Sequence, residues 1–131
     1  MKCYERTEIK DLIAYFRILT NLSDNFSIKR VINKPKRGMG ATTIDKLEEK
    51  ANELNSSIFD MIQKLNADEL SAIVGKKNAR TIKVFEASIL DLRELMIQSR
   101  MRLLDSFEET FDYRASYDTL PDGFERQANI D

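Results

Sequence analysis

The sequence contains no histidine and only one cysteine, Cys3. A single cysteine excludes an internal disulfide, and without histidine the chain lacks the commonest general base and any Cys/His zinc site. No apolar run approaches the roughly 18 residues that a membrane span needs, and the first residues lack the apolar core of a signal peptide. We therefore expect a cytoplasmic protein with no metal site and no membrane contact.

Glycine and proline are also scarce, with four and two among 131 residues. Long helices are therefore favoured over many short strands joined by tight turns. The composition, 42% hydrophobic and 33% charged, is typical of a soluble globular chain, and this length buries roughly 68% of the unfolded surface. The sequence predicts one compact, all-α, multi-helix domain over residues 1–131.

Apolar residues at helical spacing locate the helices. We predict helices over 5–19, 23–32 with Ser23 as its cap, from about 42 to 54, and from 56 or 57 to 65. A short piece over 70–74 and the longest helix, 76–102, follow. Residues 105–131 are predicted to form short helical segments with a turn at 121–123. The helical positions of four aromatic residues place them in the core: Phe16, Phe26, Phe59 and Phe85.

Charge is segregated along the chain, although the net charge is only −1. Residues 27–50 and 76–102 each carry seven basic and three acidic residues, whereas residues 103–131 carry two basic and eight acidic ones. The densest basic run contains no acid and ends at a glycine pair: Lys29, Arg30, Lys34, Lys36 and Arg37. Such a run indicates a surface that meets a polyanion.

The segment Gly38-Met39-Gly40 lies between two predicted helices, which is the pattern of a helix-hairpin-helix. Glycines accept backbone angles barred to other residues and let a phosphate approach closely, while Met39 points inward as an apolar plug. Amides at the start of the next helix favour a phosphate oxygen. The predicted backbone-binding set is Lys36, Arg37, Gly38, Met39, Gly40, Thr42, Thr43 and Lys46. A plain turn with a solvated basic loop is the alternative interpretation.

Around these residues the sequence resembles a known family. The segments Cys3–Asp11, Ala14–Leu19 and Val31–Thr43 closely resemble the 2B subdomain of superfamily 1 DNA helicases of the UvrD/Rep/PcrA group. The resemblance is looser over 55–115 and returns weakly over 125–131. Methionine replaces the usual isoleucine or valine between the glycines, an apolar change that keeps the plug role. The chain thus looks like an insert taken from a larger motor protein.

The resemblance implies a mobile accessory domain of an ATP-driven 3′ to 5′ DNA helicase. Such a domain contacts duplex DNA at the junction with the single strand, independently of sequence, and regulates unwinding by swivelling on the motor domains. A second contact region of the family maps onto Gly75, Lys76, Lys77 and Arg80, where an ordinary solvated helix start is the alternative. ATP, magnesium and the catalytic groups belong to motor domains, so this fragment is expected to bind no cofactor and to hydrolyse no ATP.

Two other classes of function remain open. A helical protein-interaction module, of the same helicase or as a stand-alone adaptor, would use the basic faces to meet an acidic repair or transcription protein. A glycosylase-like or lyase-like enzyme would use the hairpin for docking on DNA, but it needs a catalytic Asp or Lys in a base-sized pocket. Asp45 and Asp60 are the nearby acids, and neither has supporting context.

Overall fold

The computed structural model describes residues 3–112, and within them the protein is helical with no β-strand. The predicted all-α class is confirmed. Two compact units divide between Arg93 and Glu94. No helix within the described residues is both long and apolar enough to span a membrane. The helices are α1 (Arg6–Thr20), α2 (Asn25–Val31), α3 (Ala41–Glu53), α4 (Ile58–Lys64), α5 (Ala67–Val74) and α6 (Lys76–Phe111).

Polar side chains cap the starts of α2, α4 and α5. Asp24 caps α2 by accepting a hydrogen bond from the Ser27 N–H, so the predicted cap at Ser23 is wrong by one residue. Ser57, one of the two residues predicted to start the fourth helix, caps α4. At α5, Asn66 and Glu69 form a reciprocal capping box. These oxygens satisfy amides that have no partner inside a helix, and they fix where each helix begins.

The first turn of α4 holds a local charge cluster. The Asp60 carboxylate accepts hydrogen bonds from the Lys64 ammonium and the Ser56 hydroxyl. These bonds, that of Lys64 above all, favour the charged form and lower the pKa of Asp60 below its ordinary value. An acid in the first turn also complements the positive end of the helix.

The core lies in the first unit, where α1 packs on α2, α2 on α4, and α3 on both α4 and α5. Phe59 and Phe85 are buried as predicted. The sequence expectation fails for Phe16 and Phe26, which are 63% and 70% exposed. Their helices turn a different side inward: the buried residues of α1 are Ala14, Ile18 and Leu19, and those of α2 are Ser27, Ile28 and Val31.

The apolar stripe of α1 is therefore largely exposed rather than packed. Ile9, Leu12, Ile13 and Phe16 lie at helical spacing but are solvent-exposed, whereas Leu19, which continues the same spacing, is buried. Leu54, the C-cap of α3, is exposed as well. An amphipathic pattern identifies a helix correctly without showing which surface covers its apolar side.

The last helix is longer than predicted. We expected it to end at Arg102 and the chain to continue in separate segments, but α6 runs on to Phe111. No glycine or proline occurs between Lys76 and Leu120, so nothing in the backbone forces an earlier end. The turn predicted at 121–123 and the family-like segment 125–131 lie outside the described residues.

Candidate functional site

The loop between α2 and α3 is held together by the side chain of Asn33. Its Oδ1 accepts hydrogen bonds from the backbone N–H groups of Arg37 and Met39, at 2.6 and 3.2 Å. Its Nδ2 donates to the Met39 carbonyl oxygen. One amide side chain thus supplies both a hydrogen-bond acceptor and a donor to the backbone of a loop that lacks the regular hydrogen bonds of a helix or sheet. Sequence reasoning did not single out Asn33, although an asparagine entering a turn is a recognised signal.

The two glycines of the loop have different backbones. Gly38 has φ of +81°, a conformation that L side chains rarely adopt, as expected for a bend that requires glycine. Gly40 has φ of −96° and ψ of −179°, which any residue adopts, so the expectation of a special angle there is wrong. A Cβ on Gly40 would meet nothing within 4 Å. The fold itself does not demand glycine at 40.

The side chain of Met39, between the two glycines, points inward as predicted. Its side chain is only 2% exposed. Ile32 and Leu47, on either side of the loop, are buried with it. An unbranched thioether fills an irregular gap well, which suits a plug between two helix ends.

The Arg37 side chain points into the protein. It is therefore not the surface cation that we predicted. Its guanidinium lies 5.2 Å from the centroid of the Phe85 ring and donates to the Tyr15 hydroxyl at 3.0 Å. The other terminal nitrogen donates to three carbonyl oxygens at the end of α2, at 2.8, 2.8 and 3.1 Å: those of Val31, Ile32 and Lys34. A cation on the last carbonyls of a helix completes their hydrogen bonding and complements the helix dipole.

Tyr15 joins α1 to the same loop. Its hydroxyl donates to the Lys34 carbonyl oxygen while accepting from Arg37. Sequence analysis assigned no role to this tyrosine. Together with Asn33 it sets the path of the chain from the end of α2 to Gly38.

Most of the basic run is paired with acids of neighbouring helices. The bridges are Lys29 to Glu48 at 2.6 Å, Arg30 to Asp11 at 2.9 Å, and Lys34 to Asp11 at 3.6 Å. Lys36 is exposed and has no ion pair within residues 3–112. The surface charge of the loop is therefore smaller than the count of cations suggests. No group of three acidic or cysteine side chains in this part of the chain is placed to hold a metal ion.

The start of α3 offers free hydrogen-bond donors. Gly40 is the N-cap and has no side chain to accept from them, and the first turn contains no acid. The amides of Ala41, Thr42 and Thr43 have no acceptor among the described residues. Gly40 and Thr42 are exposed, and exposed Lys46 follows one turn later. Free amides and the helix dipole together favour an anion at such a terminus.

The second predicted region lies beside the first. The Asn78 side chain donates to the Thr43 hydroxyl at 3.4 Å and to the Val74 carbonyl oxygen at 3.0 Å, which joins the start of α6 to the start of α3. Gly75 precedes α6 with φ of +90°, and the first turn of α6 contains no acid. The neighbouring cations are exposed and have no ion pair within residues 3–112: Lys76, Lys77 and Arg80.

Comparison with known proteins agrees with this architecture. The family model described as "UvrD-like helicase C-terminal domain" matches residues 1–120. An ATP-dependent DNA helicase PcrA from Leuconostoc citreum is 41% identical over 93 residues, which cover 71% of this chain and 12% of that protein. One from Staphylococcus aureus is 33% identical over 113 residues, 86% of this chain and 15% of the relative. The chain thus spans only a small part of these relatives, and it belongs to the UvrD-like helicase C-terminal domain family.

Proposed function

We propose that this chain is the 2B accessory subdomain of an ATP-dependent DNA helicase of the UvrD/PcrA type. In this proposal it holds duplex DNA by the phosphates, without reading base sequence, beside the single-strand junction. ATP hydrolysis belongs to motor domains of the parent protein, and this fragment takes no part in it. The family membership and the similarity to ATP-dependent DNA helicases PcrA support the helicase parent.

The observation that carries DNA binding is the pairing of two uncapped helix starts. Whereas α2, α4 and α5 each begin at a capping side chain, α3 and α6 begin after glycines and have no acid in their first turns. The bond between Asn78 and Thr43 places these two starts side by side. Two positive helix ends with free amides can hold phosphates of a nucleic-acid backbone, which leaves the bases unread.

Five exposed cations lie around this surface, and we propose that their side chains bind the phosphates. Lys46 lies one turn into α3, while Lys76, Lys77 and Arg80 lie in the first turns of α6. In the loop Lys34 and Lys36 are both exposed, but Lys34 pairs with Asp11, which leaves Lys36 for this set. All five are free to bind phosphate in that they make no ion pair within the described residues. We leave Arg37 out of the contact set, because its guanidinium already binds the end of α2.

The test replaces Gly40 with aspartate. Its carboxylate would cap the amides of α3, which should leave stability unchanged or raise it by a few tenths of a kcal/mol. The same carboxylate occupies the proposed phosphate position and repels the DNA backbone. For the 131-residue chain we expect duplex affinity of roughly 10⁻⁴ to 10⁻⁶ M that falls steeply with salt, and a loss of about tenfold or more in the variant. Fluorescence anisotropy with a labelled duplex measures both.

Two controls separate the site from general charge effects. Gly40→Ala adds a Cβ into open space without charge and should retain most of the affinity. Lys10→Glu, on the exposed side of α1, makes a larger charge change away from the loop and should cost less affinity than Gly40→Asp. Equal binding by Gly40→Asp and the unaltered chain would remove the support for this surface.

A protein-interaction module is the second candidate, because α1 exposes an apolar side flanked by cations. Ile13 and Phe26 lie beside Lys10 and Arg17 in a shallow depression. An acidic helix from another protein would suit this surface. In that case the Gly40→Asp variant would bind duplex DNA as the unaltered chain does, and Phe26→Ala would weaken the protein contact instead.

A further inference from the structure

The backbone around Lys36 is held from both sides, although Lys36 itself makes no hydrogen bond or ion pair within the described chain. On one side, the Tyr15 hydroxyl donates to the carbonyl oxygen of Lys34. On the other side, the backbone N–H of Arg37 donates to the side-chain oxygen of Asn33 at 2.6 Å. The exposed ammonium of Lys36 therefore extends from a short backbone segment whose two ends are fixed.

Tyr15 reaches this segment from another helix. Asn33 and Arg37 belong to the loop itself, whereas Tyr15 lies on α1, which packs on α2. Its hydroxyl also accepts from the Arg37 guanidinium at 3.0 Å, so one group joins the loop backbone to a loop side chain. Asp11, one turn earlier on α1, pairs with the exposed Lys34 ammonium at 3.6 Å. Within the described chain, α1 without this hydroxyl would hold residue 34 by that ion pair alone.

We propose that Tyr15 is a positioning residue for phosphate binding, which acts by holding the loop so that Lys36 reaches the DNA backbone. This inference rests on the proposed function and adds a residue that itself touches no phosphate. Lysine has a flexible stem, so ordering it on a phosphate costs conformational entropy. A backbone that is fixed before binding removes part of this cost and thereby raises the affinity.

The test replaces Tyr15 with phenylalanine, which removes the hydroxyl and keeps the ring. We expect the duplex dissociation constant of the 131-residue chain to rise by about threefold at fixed low salt, because Lys36 loses its fixed backbone. Lys36→Ala removes the phosphate contact itself and should raise the constant by about three- to tenfold. Fluorescence anisotropy with a labelled duplex measures both, and circular dichroism checks that each variant keeps its helices.

The double variant separates positioning from a general effect on the fold. If Tyr15 acts through Lys36, Tyr15→Phe should change the dissociation constant by less than about 1.5-fold once residue 36 is alanine. A hydroxyl that acts through general stability would change affinity by the same factor with either residue at 36. Thr20→Val is the matched control, because it removes a hydroxyl that donates to the Arg17 carbonyl oxygen at 2.9 Å within α1 and not to the loop. It should bind duplex DNA as the unaltered chain does.

The same measurements separate failure of this inference from failure of the proposed function. No duplex binding by the unaltered chain would overturn both. Duplex binding by the unaltered chain that Tyr15→Phe leaves unchanged would overturn the role of Tyr15 alone. So would a loss from Tyr15→Phe that persists in full in the Lys36→Ala background.

Discussion

Replacing Arg37 with alanine is expected to lower the free energy of unfolding by about 3 kcal/mol. The guanidinium donates to three carbonyl oxygens at the end of α2 and to the Tyr15 hydroxyl, and it lies over the Phe85 ring. Removing it takes the charged donor from all three oxygens and leaves that of Ile32 without its partner, whereas the Val31 oxygen keeps the Lys34 N–H and the Lys34 oxygen keeps the Tyr15 hydroxyl. Bonds to a charged group are worth more than neutral ones. Urea denaturation followed by circular dichroism measures the loss.

Two variants show that the effect comes from the geometry of Arg37 and not from its charge alone. Arg37→Lys keeps the charge, but a single ammonium cannot replace a planar guanidinium that donates to several oxygens and lies over an aromatic ring. Most of the loss in stability should therefore remain. The neighbouring Lys36→Ala removes an exposed cation and should change stability by no more than about 0.5 kcal/mol. Equal stability of Arg37→Ala and Lys36→Ala would contradict the inward role of Arg37.

Replacing Met39 with alanine is expected to destabilise the protein by about 2 to 5 kcal/mol. The side chain is buried between the ends of α2 and α3, so truncation leaves a cavity between neighbours fixed by the loop. Asn33 holds the backbone of Met39 through both its N–H and its carbonyl oxygen, which limits how far the loop can collapse into the space. Thermal and urea unfolding of the variant provide the measurement.

Met39→Leu is the matched control, because it keeps the volume and the apolar character. Its cost should stay below about 1.5 kcal/mol. A loss from Met39→Ala no greater than that from Met39→Leu would show that the residue does not act as a plug. Because small domains are stable by only about 5–15 kcal/mol, the alanine variant should also show a clearly lower unfolding temperature.

The helices were predictable because their signals are local. Apolar spacing and capping residues located α1 through α5 to within a few residues, and α4 begins after Ser57, one of the two starts predicted for it. Burial was not predictable in the same way. The stripe of α1 reads as a core surface, yet Phe16 is exposed because α2 packs on a different side of the helix. The direction of packing depends on other helices and is not recorded in a single amphipathic pattern.

The loop shows the same division between local and tertiary information. The bend at Gly38 and the inward Met39 follow from residue types alone. Arg37 looks like a surface cation in the sequence because it stands in a basic run, but its guanidinium reaches carbonyls five and six residues earlier. The acid that pairs with both Arg30 and Lys34 is Asp11 of α1, about 20 residues earlier in the sequence, so its effect could not be read from the run.

The meeting of the two predicted contact regions also required the structure. Residues 36–46 and 75–80 were predicted as separate regions, and nothing in their spacing places them together. The contact of Asn78 with Thr43, 35 residues apart, brings the two helix starts into one surface. Neither Asn78 nor Asn33 carried a signal for function, because asparagine is common at the ends of helices and in turns.

Two-dimensional ¹H–¹⁵N NMR of the 131-residue chain, titrated with a short duplex at low and high salt, tests phosphate binding most directly. We predict that the amide signals of Ala41, Thr42 and Thr43, together with those at the start of α6, shift first and by the largest amounts. These shifts should disappear at high salt and be the same for duplexes of different sequence. Shifts confined to the exposed side of α1, with the α3 amides unchanged, would contradict the account.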